Sequence, residues 1–157
     1  MWDLNEPNQI LAAARFYFNE LGWSIIPVGK NKKPLIESWK KYQKEKPTLE
    51  EIESWFSKPE TNIALVTGLI SGIAVVDIDV NKKTRSFDPE VLEFIKLLPI
   101  TFMSRTPSGG LHYFYRIDKL LKSKNRIKPF VDLKAEGGYV ILPPSTSKGD
   151  KNYEFLN

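Results

Sequence analysis

The chain of 157 residues contains no cysteine. Disulfides are therefore excluded, and so is any zinc site built on thiolates. A single histidine, His112, excludes a cluster of imidazole ligands as well. Any metal bound here must be held mainly by oxygen, which selects hard cations. No apolar run approaches the ~20 residues of a membrane-spanning helix. The first residues include Asp3 and Glu6 and lack the basic start and apolar centre of a signal peptide. The expectation is a soluble, cytoplasmic protein with no membrane partner. There is also no internal repeat and no low-complexity segment. Excess of one charge is slight: Lys and Arg number 23 against 19 Asp and Glu, a net charge of +4. That suits a polyanionic partner without requiring one.

What is present suffices for one domain, since 41 % of the residues are apolar. Apolar residues at helical spacing predict a helix over 8–21, capped by Asn8 and stopped by Gly22. Thr48 and Glu51 form a capping box for a helix over 48–56. Asp88-Pro89 opens a third helix that Pro99 ends. Strands are expected over 23–28, 62–67, 71–80, 100–105, 111–117, 130–134 and 139–142. The strand over 62–67 is expected to alternate and to form a hairpin with 71–80. Gly137-Gly138 is expected to turn a second hairpin, from 130–134 into 139–142. The stretch 118–129 reads as a basic, polar connection: either a solvated loop or a path for a nucleic-acid backbone. The tail through Tyr153 and Phe155 is either one more strand or a plain end. Strands in succession, with no helix regularly between them, indicate an α+β fold with a largely antiparallel sheet.

The chain is organised around Ser71-Gly-Ile-Ala-Val-Val-Asp-Ile-Asp-Val80. In a strand, Val76, Ile78 and Val80 point one way and Asp77 and Asp79 the other. Two carboxylates in an apolar strand are costly to desolvate unless something pairs with them. Their Cα atoms lie roughly 6.5–7 Å apart, so both can converge on one or two cations such as Mg²⁺ or Mn²⁺. The plainer reading is that both face water. Asp132 likewise interrupts an apolar run, between Val131 and Leu133. His112 follows Thr106-Pro-Ser-Gly-Gly110, a turn whose N–H groups can line an anion site. Lys30, Lys32 and Lys33 stand in a loop closed by Pro34. They are a solvated face or a set of phosphate contacts, as are Arg116 and Lys134.

Three motifs stand in order: Asp77-Ile-Asp79, Ser108-Gly-Gly-Leu-His112, and Val131-Asp132 before Gly137-Gly-Tyr-Val-Ile-Leu-Pro-Pro-Ser145. The set resembles the primase–polymerase domain of the archaeo-eukaryotic primase superfamily. It is most similar to the bifunctional DNA primase/polymerase N-terminal domains of plasmid, phage and prophage replication proteins. Lys33-Pro34, Trp39 and Asn62-Ile-Ala-Leu-Val-Thr-Gly68 extend the resemblance over nearly the whole chain.

The resemblance implies an RNA-recognition-motif-like sheet joined to an N-terminal α/β unit. It implies a nucleotidyltransferase with a two-metal site of Mg²⁺ or Mn²⁺, and no zinc. Asp77, Asp79 and Asp132 would be the catalytic ligands. His112 would bind the nucleotide phosphates, with Ser108, Gly109 and Gly110 as the supporting turn and Arg105 nearby. The implied partners are a DNA primer–template and dNTP or NTP. A helicase or helical accessory domain is implied in a longer protein of which this would be the single N-terminal catalytic domain. The chain departs from the family in lacking a cysteine-based stem and in having Gly110 where other branches carry serine. Extension of a primer is expected in preference to its synthesis. The alternative is a non-catalytic nucleotide- or single-strand-binding module of a replication initiator, and a third reading is a gap-filling repair polymerase.

Overall fold

Helix α1 (Gln9–Asn19) begins where the Asn8 side chain accepts a hydrogen bond from the Leu11 N–H at 3.0 Å. It buries Leu11, Ala13, Ala14 and Tyr17, while Gly22 at φ +67° turns the chain into strand β1 (Ile25–Val28). Only glycine enters that left-handed region without strain. Helix α2 (Leu49–Phe56) carries both bonds of the Thr48/Glu51 capping box. The computed structural model describes residues 1–157 in full. The remaining elements are β2 (Asn62–Val66), β3 (Ile73–Ile78), α3 (Pro89–Leu97), β4 (Phe102–Arg105), β5 (Leu111–Arg116), β6 (Lys124–Lys128), β7 (Val131–Lys134), β8 (Tyr139–Ile141) and β9 (Glu154–Phe155). A turn of 3-10 helix over Lys40–Gln43 was not foreseen from the sequence.

The strands form two sheets, β1-β2-β8 and β6-β7-β3-β5-β4-β9. Every pairing between them is antiparallel, which agrees with the expected α+β class. The main core joins α1, α2, the small sheet and one face of the large sheet through Tyr17, Trp23, Ile25, Phe56, Leu65, Val75 and Phe114. Burial of each such side chain contributes about 1.5–3 kcal/mol. On the other face of the large sheet, α3 covers Val76, Ile78, Tyr113 and Val131 with Val91. Alternation along β3 therefore divides the strand. Val75 and Asp77 face the main core and its rim, and Val76 and Ile78 face α3.

Four expectations need correction. β2 and β3 form no hairpin, because they belong to different sheets and meet only in one bridge, Gly68 to Ile73. β2 does not alternate in burial: it lies between β1 and β8, and all five of its residues are buried. β8 does not return beside β7. Gly137, at φ +86°, and Gly138 carry the chain across to β2. A Cβ on Gly138 would lie 2.9 Å from Ser123 Oγ and 3.2 Å from Thr67 Oγ1, so a larger residue at the crossing would have to displace these hydroxyls, which bond the Ala135 backbone. The basic connection 118–129 contains an edge strand, β6, paired with β7. The tail adds strand β9 against β4.

Candidate active site

Register assembles the site. Asp77 at the end of β3 lies opposite His112 of β5 on one side and Asp132 of β7 on the other. Opposed residues of a ladder share a face, so three neighbouring strands present these side chains on the core face of the large sheet. The row Ile73, Val75, Asp77 starts in the core and runs out to its rim. Asp79 follows two residues on, its N–H tied to the Phe130 carbonyl at 2.8 Å.

The charges are coupled. His112 Nε2 lies 3.3 Å from Asp77 Oδ1, and His112 is 5 % exposed. Burial pushes the Asp77 carboxyl upward. The hydrogen bond and charge of His112, with Lys134 and Lys32, outweigh it and hold the group below the ordinary value. Asp79 is displaced the other way: partial burial, then the charges of Asp77 and Asp132, raise its pKa against the pull of Lys32 and His112. Asp132 Oδ1 accepts a hydrogen bond from the Arg126 N–H at 2.6 Å, and its Oδ2 lies 3.8 Å from Lys134 Nζ. Arg126 stands at φ +52° in an irregular stretch of β6.

The Thr106–Gly110 turn closes beside these acids. The Thr106 N–H donates to the Gly110 carbonyl at 2.9 Å, and the Gly110 N–H donates to Thr106 Oγ1 at 3.0 Å. Gly110 is required by space: a Cβ there would lie 2.6 Å from the Ile78 carbonyl oxygen and 3.0 Å from Thr106 Oγ1. Gly109, at φ +95°, supplies the left-handed residue of the turn. Ser108 thereby lines a cavity of about 330 Å³ with Asp77, Asp79, His112, Lys32 and Tyr153. A second cavity of about 350 Å³ shares Asp77, His112, Lys32 and Tyr153 and continues past Lys134 to Gly137, Gly138 and Tyr139.

Asp77, Asp79, His112, Ser108, Lys32 and Lys134 thus line two cavities that share Asp77, His112 and Lys32, with Asp132 opposite Asp77 on β7 and Gly110 in the turn that carries Ser108. The other candidates lie apart from this cleft. Arg105 has Leu111 as its cross-strand neighbour, on the opposite face from His112, and pairs with Glu154 at 3.3 Å. Arg116 occupies the far end of β5, beside an apolar cavity of about 570 Å³. Lys30 is engaged by Asp150 at 2.9 Å and by Glu60 at 3.5 Å, and Lys33 is exposed. Tyr153, Ser147 and Lys151 reach the cleft, with no local motif to mark them. The β9–β4 pairing brings them there, and that pairing joins residues some fifty positions apart. Tyr153 is buried, and its hydroxyl is pushed up to about 12 by burial and by the charges of Asp77 and Asp79.

The carboxylates are the residues that could hold a cation. They are not closed into a ligand cage, since no three acidic or histidine side chains converge to ligating distance. Their chemistry nevertheless suits Mg²⁺ or Mn²⁺: all donors are hard oxygens, and Asp77 and Asp132 both raise the pKa of Asp79. A bound cation relieves that like-charge repulsion. Asp132 can ligate through Oδ2 while Oδ1 keeps the Arg126 N–H, because a carboxylate has about four acceptor sites.

No curated protein matches the chain. The sequence model of one family, described as bifunctional DNA primase/polymerase, N-terminal (Prim-Pol), matches residues 14–157. With nearly the whole length covered, the chain belongs to the Prim-Pol family of bifunctional DNA primase/polymerase N-terminal domains.

Proposed function

We propose that this chain is a catalytic domain that joins nucleotides by template-directed, divalent-metal-dependent nucleotidyl transfer. The observation that carries this reading is the register of Asp77, His112 and Asp132 across three adjacent strands, with Asp79 two residues on. The substrates are a DNA primer–template and dNTP or NTP. Asp77, Asp79 and Asp132 would hold Mg²⁺ or Mn²⁺. When bound, the cations acidify the attacking 3′-hydroxyl and stabilise the departing pyrophosphate.

The chain's own groups do the rest. The Ser108 hydroxyl and N–H donate to phosphate oxygens, while the N–H groups of Thr106, Gly109 and Gly110 hold the turn itself together. A phosphate entering the cavity competes with Asp77 Oδ1 for the His112 Nε2 donor. Lys134 brings positive charge beside Asp132 and is reachable from the second cavity. The large sheet plays the part of the RNA-recognition-motif-like sheet of the archaeo-eukaryotic primase core, and α1, α2 and the small sheet play that of the α/β unit. The biological setting is replication of a plasmid, phage or mobile element, as the single N-terminal catalytic domain of a longer protein with a helicase or helical accessory domain. Primer extension is the expected reaction of this domain.

One observation favours a rival. Asp132 is engaged by Arg126 and Lys134, as in a module that binds nucleotide or single-stranded DNA without turnover. Asp77→Asn, Asp79→Asn and Asp132→Asn decide between them. Each is expected to lose at least about a hundredfold in incorporation rate with cooperative unfolding retained. A fully active variant removes that residue from the ligand set. Nucleotide binding with no incorporation by the unaltered protein selects the rival.

A further inference from the structure

Two lysines from loops distant in sequence line the cavity beside Asp79, and neither is in an ion pair: Lys32 and Lys151. Lys32 sits at φ +68°, and the Tyr139 hydroxyl donates to its carbonyl at 2.9 Å. Trp39 meets the Tyr139 ring edge-on at 5.1 Å and braces that contact. Lys151 ends a tight turn in which the Ser147 N–H donates to the Lys151 carbonyl at 2.9 Å and the Asp150 N–H to the Ser147 carbonyl at 3.0 Å. A bridge between Thr146 and Asn152 forms the base of that turn. The two loops are joined by one ion pair, Lys30 to Asp150 at 2.9 Å. The same cavity is also lined by Thr106, Ser108 and Ser147.

This arrangement has an electrostatic rationale. A triphosphate entering the cavity meets Asp77 and Asp79, which repel it. Cations held by the carboxylates would offset part of that repulsion, and basic side chains outside the ligand set can balance the charge of the phosphates farther from the metals. Lys32 is near enough to draw down the pKa of both carboxyls. Lys30, although in the same loop, already has two acidic partners.

We propose that Lys32 and Lys151 clamp the phosphate chain of the incoming nucleotide, and that the Lys30–Asp150 ion pair latches their two loops into one geometry. The clamp rests on the nucleotidyltransferase reading above. Lys32 and Lys151 contact the ligand, and Lys30 and Asp150 are positioning residues.

The test is calorimetric titration of the whole chain, in buffer containing Mg²⁺, with an α,β-methylene analogue of dATP, with inorganic tripolyphosphate and with deoxyadenosine. Lys32→Ala and Lys151→Ala are each expected to weaken the dATP analogue and tripolyphosphate by about tenfold or more. Deoxyadenosine should be unaffected. Lys96→Ala, on exposed α3, removes the same charge far from the cleft and should change nothing. Lys30→Ala and Asp150→Ala are each expected to weaken the analogue about two- to fivefold, as befits a partly exposed pair. The double variant should be no weaker than the worse single one.

If Lys151→Ala or Lys32→Ala stays within twofold of the unaltered protein, the clamp is overturned and the polymerase reading stands. An effect of Lys96→Ala as large as theirs overturns it too, by reducing it to general charge. Additive losses in the Lys30/Asp150 double variant overturn the latch. No binding of the analogue by the unaltered protein overturns the clamp together with the reading beneath it.

Discussion

Gly110→Ala tests how the site is built. The added Cβ would lie 2.6 Å from the Ile78 carbonyl oxygen and 3.6 Å from the Asp79 Cα. Ordinary contact begins beyond 3.4 Å, so backbone must move by roughly half an ångström or more, and no flexible side chain can yield in its place. Either the turn lifts off β3 or the end of β3 shifts, carrying Asp79 with it. Overpacking of this kind costs about 1–3 kcal/mol. At this chain length that lowers Tm by roughly 3–10 °C. Gly22→Ala provides the contrast. It has φ +67° and only Lys46 Nζ within 4 Å, at 3.7 Å, so it costs about 1–2 kcal/mol of backbone strain far from the cleft. Urea unfolding and single-turnover nucleotide incorporation, run on both variants, separate the effects. Both should lose stability, and only Gly110→Ala should lose incorporation, by about tenfold to a hundredfold, as expected when reacting groups are displaced. A Gly110→Ala protein within 0.5 kcal/mol of the parent, or one as active as Gly22→Ala, refutes the close-approach argument.

Two further predictions concern charge. Asp79→Asn should be neutral or stabilising at pH 7, by no more than about 1 kcal/mol because the residue is only partly buried and solvent screens its charge. The folded pKa of Asp79 is raised, so its ionised form penalises the native state above that pKa and the penalty vanishes below the unfolded value. The gain measured by urea unfolding should therefore disappear as the pH falls toward 4, and a variant destabilised at pH 7 contradicts the assignment. Tyr42 has its hydroxyl pushed up to about 12 by burial and by its bond to Glu51. Its contribution to stability is full below pH 10 and lost as pH rises through 12. Tyr42→Phe should flatten that alkaline loss, as read by circular dichroism, and an unchanged profile refutes the claim.

Local chemistry was legible where it acts locally. Asn8, the Thr48/Glu51 box and Asp88-Pro89 placed three helices within a residue or two: the first two cap N–H groups a turn away, and Pro89 presets the first helical residue of α3 with no side-chain cap from Asp88. Alternation placed Asp77 opposite in facing to Val76 and Ile78 before any partner strand was known. What was not legible depends on which strand meets which. Gly68 and Gly137 looked like hairpin turns, yet both lie where the chain passes between sheets. Turn chemistry gives a change of direction, not a neighbour. For the same reason Tyr153 and Lys151 could not be assigned to the cleft, and Arg105, immediately before the Thr106–Gly110 turn, could not be recognised as pointing to the other face.

Asp77 and Asp79 are proposed to serve a metal-dependent, templated transfer. Its most direct test is extension of a labelled primer on a defined DNA template. Single dNTPs and NTPs are supplied in turn, with Mg²⁺, Mn²⁺ or a chelator, beside the Asp77→Ala/Asp79→Ala double variant. Incorporation of the complementary nucleotide only is expected, abolished by the chelator and by the double variant, whose fold is verified by its unfolding transition. Incorporation that persists in the double variant, or that proceeds with the chelator present, contradicts that role.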